Sequence, residues 1–250
     1  MTSETKRWWE EASSSYQGET NIPIGIHYGP GAPFDNELKL LGNLKGKKVL
    51  EIGCGGAQCG IAMAKQGAKV IGIDVSDEQL KFAKKLAEKN KVKIKFYQGD
   101  VKKFPQIKSS SQDMVFSAWA LHYVDDLKSC FREVFRVLKR NGTFVLALPH
   151  PFYWTIDPKT LKLRKSYFHT GKYEKTEIWP DKKKHKFVSF GYTVSGLVNL
   201  LIESGFAIEK VIEPDSRKHY SKDPWYNLWE FKPKTMNYVP PTIIFKARKC

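Results

Sequence analysis

Glu51-Ile52-Gly53-Cys54-Gly55-Gly56 stands between an apolar run, Val49 to Ile52, and a helical stretch that begins at Gln58. Glycines at such a strand-to-helix turn let a ligand approach the backbone, and the first turn of the helix offers unpaired N–H groups. About twenty residues on, Asp74 ends a second apolar run, where a carboxylate can accept hydrogen bonds from a ribose diol. Two cofactor classes use this geometry. A dinucleotide site asks for a third glycine in G-x-G-x-x-G, and counting from Gly53 that position is Gln58, which weakens the dinucleotide reading. Glu51, two residues before the first glycine, would repel a diphosphate but could balance a ligand with an ammonium and a sulfonium. S-adenosylmethionine is such a ligand.

Methyl transfer from a sulfonium is an in-line displacement, so the protein chiefly holds nucleophile and methyl in near-attack geometry and excludes water. A base is required for hydroxyl acceptors and less so for amines and thiols. His122 and His150 are the candidates for acid or base work, each following an expected strand. Tyr28, Trp119, Tyr123, Tyr153 and Trp154 are candidates to line an apolar acceptor pocket. No metal is expected: Cys54, Cys59, Cys130 and Cys250 show no C-x-x-C spacing, and read as reduced thiols.

These residues need a scaffold that puts them at strand ends. Strands are predicted at 48–52, 69–73, 92–97, 113–117, 143–148, 206–213 and 242–247, and helices at 58–66, 76–88, 125–138 and 194–204. The alternation predicts an α/β fold: a doubly wound, mostly parallel sheet of seven strands, with helices on both faces. A single domain is expected over 1–250. Within it, 1–45 forms an N-terminal cap whose helix is expected at 6–12, and 46–148 the cofactor-binding core. Residues 149–191, aromatic and charged without a clear period, read as an insert or lid over the acceptor site, and 192–250 as a helix and strand pair completing the sheet.

Glu51-x-Gly53-x-Gly55 after one strand, Asp74 after the next, Gly99-Asp100 after the third and Ser117 to Val124 after the fourth resemble the class I S-adenosylmethionine-dependent methyltransferases. The phrases LHYVDDLKSCFREVFRVLKRNGTFVLALPHP and LLIESGFAIEKVIEP are similar to their small-molecule branch, which includes ubiquinone- and menaquinone-type enzymes. The resemblance implies a Rossmann-like sheet and S-adenosylmethionine as cofactor. It implies that Gly53, Cys54, Gly55 and Gly56 wall the methionine part, with Glu51 helping to hold it. Asp74 would bind the ribose, Val75 pack on adenine, Gly99, Asp100 and Val101 meet the adenine edge, and Ser117 present backbone near the methionine. Two departures stand out: the family often has glycine where Ala57 stands, and proline-glycine where this chain has Arg140-Asn141-Gly142.

The formal charge is +16, and its excess is almost all lysine. Residues 81–108 hold 10 Lys against 2 acids, and 159–186 hold 10 Lys or Arg against 3. Such a balance raises nucleic acid as a partner, although bidentate phosphate recognition favours arginine. Three readings therefore stand. The first is methyl transfer to a small molecule, with an anionic acceptor reconciling it with the basic insert. The second is an RNA methyltransferase, for example on tRNA, using the lysine-rich surface, and the third a non-catalytic nucleotide-binding protein of the same fold. The motifs of amino-adenine and cytosine-carbon methyltransferases are absent; Ser117-Ala118-Trp119-Ala120 stands where the former carry an acidic or asparagine residue and two prolines. No apolar run approaches a membrane span and no secretory leader is visible at the start, which predicts a cytoplasmic protein. Oligomeric state and the accepting atom are not legible.

Overall fold

A computed structural model describes residues 2–178, 182, 184–218 and 231–250. Parts of the insert and of the C-terminal region (179–181, 183 and 219–230) lie outside the described residues. In chain order the elements are α1 (Ser3–Thr20), α2 (Asp35–Leu38), β1 (Lys48–Ile52), α3 (Gln58–Lys65), β2 (Lys69–Asp74), α4 (Asp77–Lys89), β3 (Lys95–Gln98) and β4 (Gln112–Ala118). They continue with α5 (Leu127–Val137), β5 (Leu138–Pro149), β6 (Gly171–Ile178), β7 (Lys184–Gly191), α6 (Val194–Glu203), β8 (Phe206–Ile212), α7 (Pro233–Met236) and β9 (Thr242–Lys249).

Seven strands form one sheet in the order β3-β2-β1-β4-β5-β9-β8. The neighbours from β3 to β5 pair in parallel, while β9 runs antiparallel to both β5 and β8. Strands covered on both faces must be apolar almost throughout, and alternate residues go to opposite layers. Leu50 and Ile52 of β1 and Phe144 and Leu146 of β5 thus pack with Phe131 and Val134 of α5 and Leu201 of α6. Val49, Phe116 and Val145 face the other way, against Cys59 and Met63 of α3 and the buried ring of Tyr28. Burial of five apolar positions along α5 (Leu127, Cys130, Phe131, Val134 and Val137) accounts for that helix, started by Asp126 accepting from the Ser129 amide.

The doubly wound sheet stands as expected, with three differences. α1 runs through Thr20 rather than ending at residue 12. α5 ends at Val137 and β5 begins at Leu138, with an irregular register before Thr143, so Asn141 turns at φ 62° inside the strand rather than ending the helix. Most of the insert's latter half is a two-stranded antiparallel hairpin, β6–β7, in a sheet of its own. The hairpin and α1 are joined. Lys172 and Lys186 lie 3.2 and 3.5 Å from the Glu4 carboxylate, and Trp8 packs edge-on to Phe187 at 5.1 Å. Among the described residues no helix is long and apolar enough to cross a membrane.

Candidate functional site

The carboxyl ends of β1, β2 and β4 open into a cavity roofed by α1, the segment 22–30 and the β6–β7 hairpin. Gly53, Cys54, Gly55 and Gly56 form one wall, Asp74, Val75 and Val101 a second, and Ala118 to Ala120 a third. The turn is close against its neighbour. A Cβ on Gly53, at φ +64°, would sit 2.2 Å from the Ala120 Cβ, so this position requires glycine. Gly29 answers the same need on the roof, where a Cβ would lie 2.0 Å from the Trp119 ring.

Asp74 is buried, and its two oxygens accept from the Gly55 amide at 2.8 Å and the Ser76 amide at 3.0 Å. Burial pushes its carboxyl above the ordinary range, opposed by those amides. It thereby ties the glycine turn to the start of α4. Three buried glutamines close the same corner: Gln17 of α1 donates to Gln79 of α4 at 2.8 Å and accepts from Gln58 of α3 at 2.8 Å. The Glu10 carboxylate adds a second clasp, accepting from the amides of Asp77 and Glu78 at the start of α4. None of these three glutamines was legible as a site residue. Gln58 read only as a missing glycine, Gln79 as a first-turn residue, and Gln17 lay beyond the expected helix.

Several expected residues sit behind the walls rather than on them. Glu51 is buried with one oxygen, Oε2, unpartnered among the described residues, and burial pushes its carboxyl up to about 8, the Gly60 amide opposing. Gly99 and Asp100 also stand back from the cavity; Asp100 accepts from the Lys102 amide at 2.9 Å, and Val101 takes the wall position. Ser117 is turned inward, its hydroxyl donating to the Ile52 carbonyl at 3.0 Å, which ties the end of β4 to the end of β1.

A second chamber adjoins the first, and His122, Trp154, Lys175 and Phe187 line both. Trp119, Tyr123 and Trp154 reach the first cavity as expected of acceptor-side aromatics. Tyr28 and Tyr153 do not: Tyr28 is a core residue whose hydroxyl donates to Asp35 at 2.5 Å, and Tyr153 is stacked on Phe231. His150 is likewise excluded from the walls, its Nε2 paired with Glu213 at 2.7 Å and its Nδ1 accepting from the Phe152 amide at 3.2 Å. A histidine held at both nitrogens has no ring atom left for an acceptor. His122 differs. It stacks on Tyr123 at 3.9 Å, its Nδ1 is shielded from solvent without a hydrogen-bond partner among the described residues, and burial lowers its pKa to about 3. His27 lines the first cavity and is held down to about 4 by burial.

The glycine turn, a buried carboxylate at the end of β2 and flanking apolar residues suit an adenosyl ligand. Comparison with known proteins agrees. The methyltransferase-domain family matches residues 43–191, more than half of the chain. An uncharacterized protein of Haemophilus influenzae is 29% identical over 227 residues, 85% of each chain. A ubiquinone biosynthesis O-methyltransferase of Aliivibrio fischeri is 29% identical over 151 residues, 60% of this chain and 58% of that one. The crystal structure of an S-adenosylmethionine-dependent methyltransferase from Mesorhizobium loti superposes with a TM-score of 0.66 at 27% identity, covering 85% of this chain and 95% of that one. A seven-stranded sheet that ends in this glycine turn, in a chain matched by that family, makes the protein a member of the class I S-adenosylmethionine-dependent methyltransferases.

Proposed function

We propose that the protein methylates a small-molecule acceptor held in the second chamber, with His122 as the base where the accepting atom is a hydroxyl. The observation that carries this reading is the shared partition: His122 and Trp154 face both the glycine-turn cavity and the neighbouring chamber. A donor in one and an acceptor in the other would meet at that partition. S-adenosylmethionine, when bound, supplies a methyl group on a cationic sulfur that leaves as a neutral thioether.

The chain's own residues then have distinct tasks. Asp74 would receive the ribose hydroxyls, since a carboxylate oxygen can accept from more than one donor. Gly53, Cys54, Gly55 and Gly56 would bring backbone against the methionine part, and Val75 and Val101 would flank adenine. Glu51, Gly99, Asp100 and Ser117 would support these walls from behind. His122 is neutral at neutral pH and can accept a proton at a ring nitrogen. Because the burial that lowers its pKa also makes it a weak base, it would act once an anionic acceptor or alkoxide character beside the ring raises its affinity for the proton. α1 and the hairpin, clasped to each other, would exclude water. The basic insert supports an acceptor with negative charge.

Two measurements test the reading. Calorimetry should show S-adenosylmethionine binding that falls at least about tenfold in Asp74→Ala, the loss of roughly one charge-assisted hydrogen bond. Labelled methyl groups should appear in the small-molecule fraction of a cell extract. Label confined to RNA would overturn the choice of acceptor, and tight cofactor binding with no transfer in any fraction would favour a non-catalytic role.

A further inference from the structure

We infer that the positive sulfur of the donor is met by aromatic rings at the partition, chiefly Trp154 and Phe187, and not by a carboxylate. These rings then set the preference of the site for the charged donor over the neutral thioether that leaves. The assignment rests on the methyltransferase reading and deepens its donor site.

Negative charge is scarce around the two spaces. Among the described residues Asp74 is the one carboxylate lining the first cavity, and it stands at the end of β2, engaged with the Gly55 and Ser76 amides. The second chamber likewise has one, Glu174, which is met by Lys172 at 2.6 Å and Lys186 at 3.1 Å. Glu51, the counter-charge that the sequence offers, is not on the walls. Its Oε2 lies against α3, where a Cβ on Gly60 would sit 2.4 Å from it, and burial keeps the group mostly protonated at neutral pH.

Rings, by contrast, are plentiful where the methyl group must pass. Four residues line both spaces: His122, Trp154, Lys175 and Phe187. Lys175 is exposed and a cation cannot balance another, and burial leaves His122 uncharged at neutral pH. Two rings remain. Phe187 is met edge-on by Trp8 at 5.1 Å and 90° and by Tyr123 at 5.3 Å and 77°, and Trp9 meets Tyr123 at 88°. Trp8, Trp9 and Tyr123 line the first cavity as well, so the rings form a box and not a flat stack. Ring faces attract a cation, more strongly where water is excluded, and do nothing comparable for a neutral thioether. Loss of the methyl group therefore weakens the hold of the same walls on the product.

The test is calorimetric binding of S-adenosylmethionine and S-adenosylhomocysteine, which differ by the methyl group and its charge. Affinity for the first relative to the second should fall about fivefold or more in Trp154→Leu and in Phe187→Leu. S-adenosylhomocysteine affinity should stay within about twofold, which also shows the variants folded. Phe187→Tyr keeps a ring and should keep the ratio. A second measurement separates charge from packing: with every tryptophan replaced by its mono-, di- or trifluorinated form, the ring faces become less negative at nearly constant size, and the ratio should fall stepwise. Glu51→Gln should leave the ratio unchanged at neutral pH. An equal loss for both ligands in the leucine variants, a ratio that stays flat along the fluorinated series, or its collapse in Glu51→Gln would each overturn the assignment. Failure of the wild type to bind either ligand would instead sink the methyltransferase reading, whereas binding of both with a ratio indifferent to the rings sinks this assignment alone.

Discussion

Ala57 explains one of the two departures from the resembled family. It sits at φ 59°, ψ 28°, fully buried, as the residue preceding α3. That left-handed conformation costs an L-residue about 1–2 kcal/mol. Glycine there would remove the strain, lose a buried methyl worth about 0.8 kcal/mol and add unfolded-state freedom of about 0.5–1 kcal/mol. These offset one another, so Ala57→Gly should leave the melting temperature nearly unchanged. Ala83, buried within α4, is the control. Ala83→Gly loses the methyl and about 1 kcal/mol of helix propensity, roughly 2 kcal/mol together, and should melt several degrees lower. Equal losses in the two variants would refute strain at Ala57.

Three buried groups set a pH profile at the same scale. Glu51, with its folded pKa of about 8 above the unfolded value, contributes stability that is full at acid pH and lost as pH rises toward 8. His27 and His122, depressed to about 4 and about 3, act in the opposite sense: their contribution is present above the unfolded value near 6.5 and lost as pH falls below it. Stability from these groups should therefore peak near pH 6.5 and fall by about 1 kcal/mol between 6.5 and 8, the Glu51 loss being partly offset by the last of the histidines' gain. Urea unfolding across that range should show the fall in the wild type and not in Glu51→Gln. A decline that persists in the variant would assign it to other groups.

At the scale of elements, the glutamine clasp makes α1 part of the donor site. Gln17→Ala leaves the Gln58 amide group and the Gln79 carbonyl without partners in a buried corner, at about 1–3 kcal/mol for each unsatisfied group. The loss should appear twice, as a lower melting temperature and as a weaker S-adenosylmethionine affinity, because Gln17 also lines the cavity. A stability loss with unchanged affinity would make the clasp purely structural. The sequence makes the βα alternation and the strand-end residues legible because each depends on local periodicity and on a turn that only certain residues permit. It does not show the clasp, since an amide reads as polar surface until α1, α3 and α4 converge. The hairpin escaped for a related reason. Exposed Lys172, Glu174 and Thr176 on β6 carry no apolar alternation, so only pairing with β7 reveals a strand. His150 and Tyr28 were misjudged because chain position says nothing of whether a side chain's polar atoms are already engaged.

For the molecule as a whole, the question raised by a charge of +16 becomes where the charge lies. β3 is an edge strand, and Lys93 and Lys95 are exposed on and beside it, as are Lys81, Lys84, Lys85 and Lys89 on the adjoining α4. Lysine along a sheet edge keeps one copy from pairing with another, a role that needs no nucleic acid. Of the second basic group, Arg164, Lys165 and Lys175 line the chamber, and Lys172 and Lys186 pair with Glu4 and Glu174. Raising sodium chloride from about 20 to about 300 mM shortens the screening length several-fold, to well below 10 Å, and relieves repulsion among the solvated lysines. The melting temperature should rise by a few degrees. Were the excess charge chiefly a nucleic-acid surface, single-stranded RNA would bind tightly at low salt, with a steep logarithmic salt slope that tracks the number of phosphates contacted. Substituting Lys84, Lys85 and Lys93 together by Gln distinguishes the alternatives: S-adenosylmethionine affinity should be untouched and self-association, followed by light scattering, should increase. A variant that instead loses RNA affinity with unchanged self-association would return the basic edge to a nucleic-acid role.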